Sequence, residues 1–433
     1  MDVELPYGPG RVVVRVPEAV NVEVVAPPPG GPRSRDPEGE ETAERAIVEV
    51  ALDAPVGAPR LEDLARSGPR VTIVVPDATR PARGPVVVAA VLERLARAGV
   101  PDDAITVLVG GGLHPAPPPA AVAAIVGADV AARVRCAAAD ASDVAAYADV
   151  PPDRALKAPR LHRAVTEAGL VVVTGAVAPH YLAGFSGGGK GLVIGCGDRA
   201  TVEAAHRLTL DATVALDGSL RSRLGRLEGN PFAATLLRVA RSLPVPTFLV
   251  NVGLADGRIA HAAAGEIGAA HEAACLAHRA RFACPRPAPA DLVIAACGPG
   301  RDGDLVQAHK ALVVAAEVAA PGAPIVWLAH AAHGPGHPRF LPWFEAGRLE
   351  RHLFALRRDF HPYGLTAYAL RWKAARHPVH VVSVLPRDVL RPLGLWVFDD
   401  AQAAVDHALG AGPDARPVAR CVILPRAAET FFA

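Results

Sequence analysis

The chain has 433 residues, 51% hydrophobic and 21% charged, with 45 Lys and Arg against 44 Asp and Glu. A net charge of +1 leaves no basic footprint of the kind a nucleic-acid binder needs, and no uninterrupted apolar stretch approaches the ~20 residues of a membrane span. The length exceeds that at which a single core stops growing, so two domains are expected.

In chain order, Arg11 to Val16 and Val22 to Val25 read as short extended segments, and the Pro-, Gly- and charge-rich stretch from Pro27 to Glu41 as a surface loop. From there β/α alternation sets in. Val71 to Val75 is a buried-strand run that ends in Pro76, Asp77, Ala78, Thr79, Arg80 and Pro81, followed by a helical stretch from Val86 to Ala98. Ile105 to Val109 is a second strand, ending in Gly110 to His114, and Leu170 to Thr174 a third, leading toward Lys190. A proline-rich linker at Cys284 to Ala290 precedes a second block: strand Asp291 to Ala296, helix Asp304 to Ala319, and strands Ile325 to Leu328 and Val379 to Val384. No internal repeat is detected. Short apolar β-branched strands, each followed by a helix, predict parallel sheets covered on both faces. The expected fold class is therefore two α/β domains with mainly parallel sheets, residues 1–284 and 285–433, the active site lying in the cleft between them. In such sheets ligands sit beyond the carboxyl ends of the strands, where the three polar loops lie.

The six cysteines, Cys136, Cys196, Cys275, Cys284, Cys297 and Cys421, form no CxxC pair, which argues against a zinc knuckle or a disulfide framework. The segment Met1 to Pro6 is acidic and lacks the basic and apolar regions of a signal peptide, so a cytoplasmic setting is expected.

Only four of the basic residues are lysines, and one of them, Lys190, ends a run that includes Gly187, Gly188 and Gly189. A lysine amine can be deprotonated and attack an electrophile, which an arginine fork cannot do. Gly184 to Lys190 satisfies GxxxxGK, yet Gly191 stands where a phosphate loop needs Ser or Thr to hold magnesium. A kinase or NTPase using this loop is the alternative reading. What remains without the magnesium residue is a run of small residues whose backbone N–H groups can cradle an anion.

Of sixteen histidines, His162, His271, His278, His352 and His407 read as surface or helix residues. His114 and His180 each follow a strand, and two loop histidines facing one cleft would make an acid/base pair. His206 lies in a helical stretch, as a lone metal ligand or a partly buried helical histidine. His330, His333 and His337 have partial metal-site spacing, but Gly334, Pro335 and Gly336 forbid a continuous helix through all three. Asp77 suits ribose hydroxyls, and Arg80 suits a substrate carboxylate bidentately. Gln307 and Lys310 share one helix face at i and i+3.

Together these segments resemble the nickel-pincer-nucleotide lactate racemase family. The likeness runs from Leu5 to Tyr7 through Asp77 to Pro81, Gly112 to His114, Pro179 to Gly197, Asn251 to Glu266, and Gln307 to Lys310. The resemblance implies that Lys190 tethers the pyridinium-derived nickel cofactor through a thioamide and that His206 completes the coordination of nickel. It makes Asp77 and Gly187 to Gly189 cofactor-binding, His114 and His180 the acid/base pair, and Arg80, Gln307 and Lys310 substrate-binding. The implied reaction is reversible hydride transfer from C2 of a 2-hydroxy acid through a planar 2-keto acid, inverting the centre. Cofactor-synthesis enzymes are the implied partners, with no nucleic acid or membrane. A non-catalytic metal-binding homologue is a further alternative. Two departures stand out: Pro115 follows His114 where the family has arginine, and the family's substrate-packing tryptophan falls near Thr366 to Tyr368, with Trp372 too far along. A substrate larger than lactate is expected.

Overall fold

A computed structural model of the chain describes residues 1–29, 36–68, 70–410 and 417–433. These fall into two compact units, one made of Met1–Pro28, Thr213–Ser222 and Phe282–Ala433, the other of Pro29–Ala212 and Arg223–Arg281. The single boundary expected at residue 284 is thus replaced by a chain that passes between units several times. The physical reason at the N-terminus is strand pairing. The hairpin β1 (Asp2–Tyr7) and β2 (Gly10–Arg15) leads into β3 (Asn21–Val24), which pairs in parallel with the last strand of the chain, Asn21 opposite Arg420 and Val24 opposite Ile423.

The end of the segment expected to be loop from Pro27 to Glu41 is helical instead. Residues 30–35 lie outside the described residues, and a helix runs over Pro37–Asp53. Pro37 at its first turn, with Glu38 and Glu40 beside it, is a helix start: a proline there loses no needed N–H, and the acidic groups meet the positive end of the helix dipole.

The larger unit carries a six-stranded sheet built from β4 (Val71–Pro76), β5 (Ile105–Gly110), β6 (Arg135–Ala138), β9 (Leu170–Val177), β12 (Thr247–Ala255) and β13 (Arg258–Gly265). Two small hairpins lie off it, β7 (Tyr147–Asp149) with β8 (Arg160–His162), and β10 (Pro179–His180) with β11 (Gly184–Phe185). The sheet order is β13-β12-β9-β4-β5-β6, parallel except for the β12–β13 hairpin. The apolar runs predicted β4, β5 and β9 because both faces of these strands are buried. Ile73, Val75, Val107, Val109 and Val172 enter one core, while Val74, Leu108, Val171 and Val173 enter the other. Each face then needs its own helices. Helix Gly84–Arg97 covers the first, and helix Pro231–Arg241 the second.

The smaller unit has the sheet order β17-β16-β15-β14-β18-β3, from β14 (Leu292–Ala296), β15 (Ile325–Leu328), β16 (Val379–Val382), β17 (Trp396–Phe398) and β18 (Arg420–Leu424), all parallel. Leu5, Val14 and Val16 of the N-terminal hairpin region share a core with Leu292, Ile294 and Val326. Both units are α/β with parallel-dominated sheets, as expected. No helix among the described residues is long and apolar enough to cross a membrane.

Candidate active site

Three adjacent strands of the larger unit, β9, β4 and β5, end on the same side, because they run in parallel. Asp77 follows β4, the loop to His114 follows β5, and the β10–β11 hairpin with His180 follows β9. The topology therefore gathers residues more than 60 positions apart in sequence around one sheet edge.

Asp77 is buried, with 8% of its surface exposed, and both of its oxygens are engaged. Oδ2 lies 2.5 Å from His114 Nδ1, and Oδ1 accepts the Thr79 hydroxyl at 2.7 Å and the Thr79 backbone N–H at 3.2 Å. Burial pushes the Asp77 carboxyl up, but the hydrogen bonds from His114 and Thr79 outweigh it and hold the group below its ordinary value. An ionised carboxylate can only accept, so His114 Nδ1 carries a proton, and in the neutral form of the ring the lone pair is on Nε2. The sequence reading assigned Asp77 to a cofactor; in the structure its first partner is an acid/base candidate. Arg80, half-buried on the same turn, has no ion-pair partner among the described residues, and its charge reaches Asp77.

His180 is held in the opposite sense. Its Nδ1 accepts the backbone N–H groups of Leu182 at 3.2 Å and Ala183 at 3.1 Å. The neutral ring therefore carries its proton on Nε2.

His206 sits in helix Arg199–Thr213, its Nδ1 2.7 Å from the carbonyl oxygen of Val202. A carbonyl cannot donate, so Nδ1 is protonated and Nε2 presents a lone pair, the arrangement of a histidine whose second nitrogen orients it toward a metal. Burial pushes its pKa down to about 4, and the charges of Lys190, Arg80 and His114 add to that effect. His206 is thus neutral at pH 7 and shares its surroundings with three of the other candidates.

Lys190 is half-buried in the short helix Gly189–Val193. The hairpin β10–β11 stands between β9 and this loop, so the loop does not follow its strand as a phosphate loop would. The glycines before it have packing reasons of their own. Gly187 and Gly188 have φ of +86° and +56°, and an added Cβ would lie 2.6 Å from Asn251 Oδ1 and 2.6 Å from the His271 ring, respectively. A Cβ on Gly189 would meet the Leu236 carbonyl at 2.9 Å. Since the Gly188 N–H already donates to Asn251 Oδ1 at 3.0 Å, the nucleotide-loop alternative loses one of the donors it requires.

Gln307 and Lys310 belong to the smaller unit, on helix Leu305–Val318, which Asp304 caps by accepting the Gln307 N–H. Lys310 Nζ donates to Gln307 Oε1 at 2.6 Å, the i, i+3 pair expected. The histidine cluster in this unit is divided among separate partners. His330 packs edge-on to Tyr7 and His337 stacks on Tyr363 at 3.9 Å. Thr366 to Tyr368 are buried, and Tyr368 donates its hydroxyl to the Gly218 carbonyl, so these positions serve internal packing. His278 and His352, expected at surface or helix positions, lie on helices but inside, at 5% and 0% exposure. Sequence reasoning gave Asn251 and His271 no part in the site; the signal was a polar residue in the centre of the otherwise apolar β12.

Residues 7–217 match the family described as the lactate racemase N-terminal domain. Two curated relatives are lactate racemases. That of Lactiplantibacillus plantarum is 28% identical over 303 residues, 69% of either chain. That of Thermoanaerobacterium thermosaccharolyticum is 24% identical over 352 residues, 80% of this chain and 78% of the relative. The solved lactate racemase apoprotein of T. thermosaccharolyticum has the same fold, with a TM-score of 0.83 at 21% identity over the whole of both chains. A Thermotoga maritima protein follows with a TM-score of 0.62 at 16% identity, covering 94% of this chain and all of its own.

Proposed function

We propose, from the premise that the chain belongs to the lactate racemase family and is an isomerase, that it inverts C2 of a 2-hydroxy acid using a nickel-pincer nucleotide held on Lys190. The observation that carries this reading is His206, a neutral imidazole with its Nε2 lone pair available and the Lys190 amine in its electrostatic surroundings. Among the described residues no group of three or more His, Cys, Asp or Glu side chains is arranged to hold a metal ion. A metal at His206 would then take its other donors from a cofactor, and a single protein ligand beside an amine suits that division. When bound, the cofactor supplies an acceptor and donor of hydride.

The side chains do the rest. His114 offers Nε2 to the hydroxyl proton of the substrate, with Asp77 stabilising the imidazolium that results. Arg80 takes the carboxylate bidentately. His180 presents Nε2–H to the substrate oxygen; to work as a base in turn, it must release its Nδ1 from the amides of Leu182 and Ala183. Gln307 and Lys310 are assigned to substrate oxygens, and Gly187 to Gly189 to the close approach of the cofactor. Enzymes that synthesise the cofactor are then required partners. The substrate side chain is proposed to be larger than a methyl group, because no tryptophan occupies Thr366 to Tyr368.

The test is a stereochemical assay in D2O on protein from cells that make the cofactor, using single enantiomers of 2-hydroxy acids graded from lactate upward. Interconversion that retains the C2 hydrogen is expected, fastest for a side chain larger than methyl. Exchange of that hydrogen with solvent, or no interconversion of any member, would overturn the proposal, and a lactate optimum would overturn the side-chain assignment alone.

A further inference from the structure

Beneath the loop that ends in Lys190 lies a polar network that none of the chemistry above uses. Asn251 is fully buried at the centre of β12, among Val250, Val252 and the apolar residues of β9. Its Oδ1 accepts two hydrogen bonds, from the Gly188 N–H at 3.0 Å and from His271 Nδ1 at 3.0 Å, while Nδ2 donates to the Gly175 carbonyl at 3.2 Å. An oxygen that accepts from His271 fixes that ring with its proton on Nδ1, leaving the Nε2 lone pair toward the thiol of Cys275 at 3.7 Å. Burial keeps the ring neutral, with a pKa of about 4. One amide thus joins the end of β9, the turn of the lysine loop and helix Ala269–Phe282.

The fit is steric as well as polar. Gly187 and Gly188, like Gly184 at the start of the loop, have positive φ, and the missing side chains of Gly187 and Gly188 are the space that Asn251 and His271 occupy. The loop therefore has little freedom to shift without breaking a buried hydrogen bond or opening a void, both of which are unfavourable. Lys190 is only two residues further on. We infer that Asn251 and His271 form a positioning pair that sets where the Lys190 amine lies. The residues act through the loop backbone, not on substrate or cofactor, and the inference rests on the reading of Lys190 as the reactive amine.

The scarcity of lysine makes this measurable in the protein as it is, before any cofactor is attached. Amine acetylation followed by peptide mass spectrometry has four lysines to follow, with exposed Lys157 as an internal standard and buried Lys373, 5% exposed, as a reporter of unfolding. In His271→Leu, which removes the N–H, Lys190 is expected to label several-fold faster relative to Lys157. In His271→Asn, whose amide can supply an N–H at similar reach, the rate should return toward that of the unsubstituted protein. An unchanged Lys190 rate in folded His271→Leu overturns the inference, as does equal acceleration in both variants. Should His271→Leu fail to fold, hydrogen exchange of the unsubstituted protein decides. The Gly188 amide is expected to be protected like the amides of β12, and rapid exchange there overturns the inference. None of these readouts involves racemisation, so the inference and the proposed function can fail separately.

Discussion

Asp77 and His114 form a carboxylate–imidazole pair in which the carboxylate decides which ring nitrogen carries the proton. Replacing Asp77 with Asn keeps size and shape but offers an N–H where an acceptor stood, which favours the tautomer with Nε2 protonated. Asp77→Asn is therefore expected to leave the fold intact, shift the tautomer of His114 as read by nitrogen NMR, and lower racemisation by about 100-fold or more. Retained activity with an unshifted tautomer would remove Asp77 from this role. The position of Asp77 after a strand was legible in the sequence, and so was His114 in the next loop. Their contact was not, because it depends on β4 and β5 lying side by side, and nothing in either segment alone states which strands are neighbours.

At the scale of elements, the lysine loop shows why a short motif is a weak guide. Its glycines read as a phosphate cradle, yet at Gly187 and Gly188 they answer to Asn251 and His271, one on a strand and one on a helix more than 60 residues downstream. A side chain at Gly188 meets the His271 ring and also forces an L-residue into positive φ. Gly188→Ala should cost about 1–3 kcal/mol in urea unfolding, whereas Gly257→Ala, also at positive φ but with open space around it, should cost less. Equal losses at both sites would show that backbone conformation alone matters. The helix Pro37–Asp53 was missed for a similar reason: the charge-rich run before it reads as loop, and its burial of Val48 and Leu52 against the sheet is a tertiary gain that local composition does not display.

Across the whole molecule, β4, β5, β9, β14, β15 and β16 were legible because doubly buried strands leave an apolar run. The assembly of Met1–Pro28 with the C-terminal segment was not, since Val22 to Val25 reads as an extended segment but nothing in it names β18, near the other end of the chain, as its partner. The interior also holds several histidines in the neutral state. Burial lowers His261, His271, His352 and His380 to about 4 and His278 to about 3. Unfolded, these rings titrate near ~6.5, so below that pH the unfolded chain binds more protons than the native one. Stability is accordingly complete above pH ~6.5 and lost progressively as pH falls toward ~4. A melting temperature several degrees lower at pH 5 than at pH 7 is the expected result, and equal values would mean that these rings are not held neutral.

The central claim, that Lys190 tethers a nickel-bearing cofactor, is tested most directly by the intact mass and metal content of protein purified from cells that make that cofactor. The account predicts a covalent adduct mapped to the peptide containing Lys190, nickel in matching amount, loss of both in Lys190→Arg, and loss of nickel with retention of the adduct in His206→Ala. An unmodified Lys190 and no bound nickel, in protein that is folded and exposed to the cofactor, would contradict it.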